Sequence, residues 1–155
     1  MNPYMVIGSF NDFAGIVLYN PESESISEAN LTIQVESIDT GQSVSDGHLK
    51  SGTWMDAENF PTISFQTKSI AAFEEGFIAT ADLTIHGKTN EVKIPFLVKG
   101  PSVDPTQTNA IGISAELVVN RQDYGIAFSK LMTNGNLFIG IEVRIKINAL
   151  ATAKK

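Results

Sequence analysis

The chain contains no cysteine, which excludes disulfides, thiolate catalysis and cysteine-ligated metals. That absence suits oxidising and reducing compartments alike, so it does not place the protein. No run approaches the roughly 18 consecutive apolar residues of a membrane-spanning helix, which sets the expectation of a soluble chain. Basic side chains are scarce at first: residues 1–82 carry twelve acidic and two basic ones, against five and nine in residues 83–155. With a net charge of −6 and no dense basic run interleaved with aromatics, nucleic-acid binding is a poor reading. The opening Met1-Asn2-Pro3-Tyr4 has neither the basic nor the apolar region of a secretory signal. The protein is expected to be either cytosolic from Met1 or the remainder of a chain whose targeting segment has been removed.

What is present is alternation. In 155 residues, 43% of them hydrophobic, apolar side chains recur at every second position, enough for one domain over 1–155 with a sizeable core. Leu137, Ile139, Ile141, Val143, Ile145, Ile147 and Ala149 form the clearest stripe, with Glu142, Arg144, Lys146 and Asn148 facing the other way. Ile111–Val119, Phe77–Ile85, Val92–Val98 and Leu31–Val35 repeat the pattern, and Thr62–Ile70 and Phe13–Tyr19 complete seven strands. Tyr4–Ile7 would continue the last of these. Asn20-Pro21, Glu74-Glu75-Gly76, His86-Gly87, Gly100-Pro101 and Asn134-Gly135 read as connections, with hairpins at Ser69–Ile85 and Leu83–Val98. Residues 43–60 break the period. They read as one or two short helical turns across an end of the sheet, capped by Ser45 or Asp46 and by Asp56.

Antiparallel strands with one apolar face must close on themselves or pack on a second sheet. One parity throughout and sequential hairpins favour an all-β, antiparallel up-and-down barrel of seven to eight strands, a size that side chains fill or that holds one small ligand. Small and β-branched inward residues (Ala79, Ala81, Ala115, Val17, Val35, Val98) leave room. Periodicity alone leaves a ligand cavity and a packed core both open.

Six segments then stand in a telling order: Gly8–Gly15, Ser37-Ile38-Asp39-Thr40-Gly41, Asp46-Gly47-His48-Leu49-Lys50-Ser51, Trp54–Pro61, Asp82–Thr89 and Asn120–Ile126. Together they resemble the YceI-like, polyisoprenoid-binding family from about Val6 to Leu150. The resemblance implies a lipocalin-like barrel whose interior holds an isoprenoid lipid, a polyprenyl phosphate or a quinone-type molecule. It also implies a bacterial, often periplasmic or secreted protein, without catalysis or a cofactor. One departure stands out, because the family's usual first strand before the Gly-x-Phe stretch is missing here. A truncated product, incomplete closure and a strand supplied by a neighbouring subunit all account for that, so a homodimer or an unusually open barrel is expected.

On this reading the tunnel is lined by Phe13, Val17, Tyr19, Ile33, Val35, Trp54, Phe60, Ile63, Phe65, Ala79, Ala81, Leu83, Phe96, Ile113, Ala115, Leu117, Ile139, Ile141 and Val143. Trp54 and Phe60 either close a pole as core residues or touch the ligand tail. His48, Lys50 and Arg121 are the headgroup candidates; Arg121 with Asp123 equally reads as a pair pinning a turn. The two histidines, His48 and His86, lack a compact metal-ligand spacing, so no metal site is expected, and His86 reads as a hairpin residue bonded to backbone. No G-x-S-x-G or phosphate-cradling glycine loop occurs, so an enzyme is the weakest reading. The alternative to a lipid carrier is a protein-interaction or stress-related structural module with a packed interior.

Overall fold

A computed structural model describes residues 8–20, 22–52, 54–103, 109–126 and 142–152. The expected strand segments Tyr4–Ile7 and Leu137–Ile141, with the turn at Asn134-Gly135, lie outside the described residues. In chain order the elements are β1 (Ser9–Phe10), β2 (Phe13–Asn20), β3 (Ser25–Gln34), β4 (Ile38–Asp39), α1 (Ser43–Lys50), β5 (Thr62–Phe73), β6 (Gly76–Ile85), β7 (Lys88–Val103), β8 (Asn109–Asn120) and β9 (Glu142–Thr152). Short 3-10 turns cover Val35–Ser37 and Arg121–Tyr124. Seven strands form one antiparallel sheet in the order β2-β3-β5-β6-β7-β8-β9, and β1 pairs with β4 beside it. This is the up-and-down order that the alternation predicts and the lipocalin-like one that the resemblance implies. Among the described residues, no strand pairs with the outer edge of β2 or of β9.

Register carries one parity across the sheet. Phe65 stands opposite Leu83, Ala79 opposite Ile94, and Phe96 opposite Ala115, which in turn faces Ile147. Because side chains alternate faces, each of these pairs puts both members on the concave side. Burying one Ile or Leu there contributes about 1.5–3 kcal/mol.

The β6–β7 hairpin turns on His86 and Gly87, both with positive φ (55° and 73°), as a primed two-residue turn requires. A side chain at Gly87 would also meet the Phe60 ring, whose Cε1 lies 2.5 Å from where a Cβ would stand. Two strands run further than the alternation predicts. β3 begins at Ser25, where a register shift opposite Leu18 and Tyr19 breaks the period. β7 continues through Gly100-Pro101, expected as a connection: that peptide is cis, and a register shift between Lys99 and Ser102 absorbs both residues inside the strand. Val35, expected at a strand end, opens a 3-10 turn instead.

Of the helical turns expected over 43–60, the first is α1 and the second is a run of turns. Neither expected cap forms. Gln42 occupies the N-cap without a side-chain bond, and Asp46 reaches back to Thr40 instead, accepting from its N–H (2.8 Å) and its hydroxyl (2.7 Å). Asp56 has φ 50°, and its carboxylate accepts from the Asn59 amide.

Candidate ligand-binding cavity

The interior holds two buried clusters, and the second of them (Ile26, Ala79, Ile94, Phe96 and Ile111) borders a cavity. At the end where β6 meets β7, Val35, Ala57, Ile63, Ile85, Tyr124 and Ile126 form a buried cluster, with Trp54 and Met55 packed against it. The 3-10 turn Arg121–Tyr124 seals this end. Its Asn120 N-cap accepts from Gln122 N–H, and Gly125 terminates it at φ 75°. Arg121 is only 5% exposed. Its Nη1 donates to the Ile126 carbonyl at 2.7 Å and its guanidinium lies 5.2 Å from the centroid of the Trp54 ring. Burial pushes the Arg121 pKa down and that of the Tyr124 phenol up. His86 Nδ1 lies 3.2 Å from the Tyr124 carbonyl, which can only accept, so in this bond Nδ1 carries the proton.

Toward the other end lies a cavity of about 1060 Å³. Phe13, Val17 and Tyr19 of β2, Phe65 of β5, Ala79 of β6, and Ile94 and Phe96 of β7 form one wall. Ile111, Ile113 and Ala115 of β8 with Ile147, Ala149 and Ala151 of β9 form the other. Phe77, opposite Phe96 in register, stacks on it with ring centroids 5.4 Å apart. The room comes from small residues: Gly15, Ala79, Ala115, Ala149 and Ala151 stand where larger side chains would fill the space. The cavity follows β2 along its length and touches both faces of that strand, Ile16 and Leu18 included. No described lining residue is charged. Polar groups enter through Asn20, Ser27, Asn30, Asn109 and Thr152.

The predicted lining residues separate between the cavity and the packed end. Phe13, Val17, Tyr19, Phe65, Ala79, Phe96, Ile113 and Ala115 line the cavity. Val35, Ile63 and Leu83 belong to the packed cluster, and Ile33, Trp54 and Leu117 pack against it. Ala81 is wholly buried, Phe60 lies 4.6 Å from the His86 ring, and Val143 stands opposite Val119. Ile139 and Ile141 lie outside the described residues. None of the three headgroup candidates lines the cavity. His48 is exposed on α1, Lys50 pairs with Glu36 at 3.5 Å, and Arg121 is in the sealed end. Asp123 is exposed, and its carbonyl accepts from the Asn90 amide.

Sequence reasoning omitted Ile94, Ile111, Ile147, Ala149 and Ala151, although their stripes carry the same parity. The polar groups Asn20, Ser27, Asn109 and Thr152 gave no such signal. Among the described residues no group of three or more His, Asp or Glu side chains could hold a metal ion, and no helix is long and apolar enough to cross a membrane.

Among the described residues, an antiparallel sheet curled around an apolar cavity, with side chains packed across one end, is a lipocalin-like architecture. The chain belongs to the YceI family: residues 3–151 match the model of the YceI-like domain. A UPF0312 protein of Staphylococcus aureus is 32% identical over 145 residues, covering 93% of this chain and 82% of that one. Among solved structures, the Campylobacter jejuni YceI protein superposes with a TM-score of 0.84 at 22% identity, over 97% of this chain and 86% of that one. Burkholderia cenocepacia BcnA gives 0.80 at 25% identity, over 97% and 92%. A polyisoprenoid binding domain from Saccharophagus degradans gives 0.57 at 18% identity, over 77% and 68%.

Proposed function

We propose that this protein holds one isoprenoid lipid in the cavity beside β2 and carries it without transforming it. The observation that bears most weight is the wall itself: about 1060 Å³ of space whose described lining is apolar but for a few neutral polar groups. Branched methyl-bearing units match a surface of Ile, Val, Ala and Phe, and burial of their apolar area supplies affinity at about 25 cal/mol per Å², before ordering costs. The polyisoprenoid binding domain among the structural neighbours points the same way. Among the described lining residues none is Asp, Glu, His, Lys or Arg, which supports carriage over catalysis.

Titrating the lipid-free protein with a long-chain polyprenol tests this reading. Saturable binding of one chain per protein is expected, and absence of saturable binding refutes it.

A second reading rests on the edges of the sheet. Ile16 on β2 and Leu150 on β9 point outward and are each 65% exposed, and both strands have outer edges unpaired among the described residues. Such an edge suits addition of a strand from a second copy. Molecular mass in solution decides it: a dimer lost on Ile16→Lys supports edge pairing, and a monomer at all concentrations refutes it.

A further inference from the structure

Resting on the carrier reading above, we infer that the Phe65 ring, braced by Leu117, is the floor of the cavity and sets the longest isoprenoid tail taken up whole. The level at which the cavity stops can be followed from strand to strand. On β6 and β7 the paired Ala79 and Ile94 line it, whereas the next inward pair, Ala81 and Val92, does not. On β8 and β9 the paired Ala115 and Ile147 line it, whereas Leu117 and Ile145 do not. On β5 Phe65 lines it, whereas Ile63 belongs to the packed cluster at the sealed end.

Two side chains bridge that level. Phe65 and Leu117 each pack against both buried clusters, and of the two only Phe65 also borders the cavity. Its ring therefore has the open space on one side and packed residues on the other. Ala81, on β6 between the strands that carry them, has no exposed surface although it ends in a methyl group, so bulk from neighbouring strands covers it. A packed interior yields little to a chain pressed against it. A tail that reaches the ring stops there, and any further unit stays at the mouth, in water. Affinity then grows with each unit that fits and gains nothing from the next.

The test titrates polyprenols of increasing length, each with the same alcohol head, against the full chain stripped of lipid. In the wild type, affinity should rise with length and level off once the tail spans the cavity. In Phe65→Ala the first tail beyond that limit should gain at least about fivefold in affinity relative to the tail just within it, as expected for burying one more branched unit. Phe65→Leu, closer in volume and so milder for folding, should raise the same ratio by less. A side chain that only supports the wall would weaken all lengths together and leave the limit in place in both variants. That result overturns the inference, as does a wild type whose affinity keeps rising through the whole series, and both leave the carrier reading intact. If no polyprenol of any length binds saturably, the carrier reading itself fails and takes this inference with it.

Discussion

Phe96 and Ala115 face each other across the β7–β8 pair, a buried aromatic ring against a single methyl group. That inequality makes the cavity. Where two large residues would have met, the alanine leaves space that Ile147 opposite it does not fill.

Filling that space should abolish binding without unfolding the protein. Ala115 is only partly buried and faces the cavity, so a larger side chain extends into space already empty. Ala115→Trp is expected to lower bound lipid at least about tenfold while shifting Tm by only a few degrees, a change within the usual 1–3 kcal/mol range for overpacking. Ala81 would make a poor site for the same experiment. It is wholly buried, and a tryptophan there would disrupt packing rather than report on the ligand.

The sealed end should behave in the opposite way. Arg121→Ala removes the bond to the Ile126 carbonyl and the stacking on Trp54. Leaving a buried carbonyl unpaired costs about 1–3 kcal/mol and a desolvated cation–π contact about 1–2 kcal/mol, so a loss of roughly 2–5 kcal/mol is expected in denaturant unfolding. Lipid carried per folded molecule should not change. If it falls while stability holds, Arg121 serves the ligand directly.

Much of this fold was legible in the sequence, because period two survives wherever one face is buried. The strands that ran long escaped for a local reason. At Ser25–Ala29 a register shift puts Ile26 and Ala29 on the inner face three positions apart, and at Gly100-Pro101 a bulge imitates a turn. The division of the interior was not legible at all. Leu83 and Ala79 belong to one uninterrupted stripe and are both buried, yet only Ala79 borders the cavity. What separates them is the segment 54–60 and the turn at 121–124, which fold onto one end only. For the same reason Arg121, plausible beside a headgroup when read in sequence, lies away from the cavity.

Gly87 should resist replacement on two grounds. Its φ of 73° costs an ordinary L-residue about 1–2 kcal/mol, and a Cβ would press on the Phe60 ring. Gly87→Ala should therefore lower Tm by several degrees. The double variant Gly87→Ala/Phe60→Ala should relieve the clash but not the backbone cost, a coupling that a double-mutant cycle measures.

Acid should loosen the start of α1 before the sheet. The hydroxyl and then the amide of Thr40, both donating to Asp46, hold its carboxyl below the ordinary aspartate value. A carboxylate whose folded pKa is depressed stabilises fully above its unfolded pKa, and the stabilisation disappears as pH falls through the folded value. Exchange protection at the Thr40 amide should therefore fall on acidification below the normal carboxylate range. Asp46→Asn should show reduced protection at neutral pH and little further change in acid. An unaltered acid response in that variant would remove Asp46 as the cause.

The most direct test of the central claim is the identity of what the protein carries. Protein purified without detergent from a bacterial host, extracted with organic solvent and examined by mass spectrometry beside the Ala115→Trp variant, should yield an isoprenoid lipid near one per chain from the wild type and little from the variant. An extract free of isoprenoids, or one equally rich from both proteins, would contradict the account.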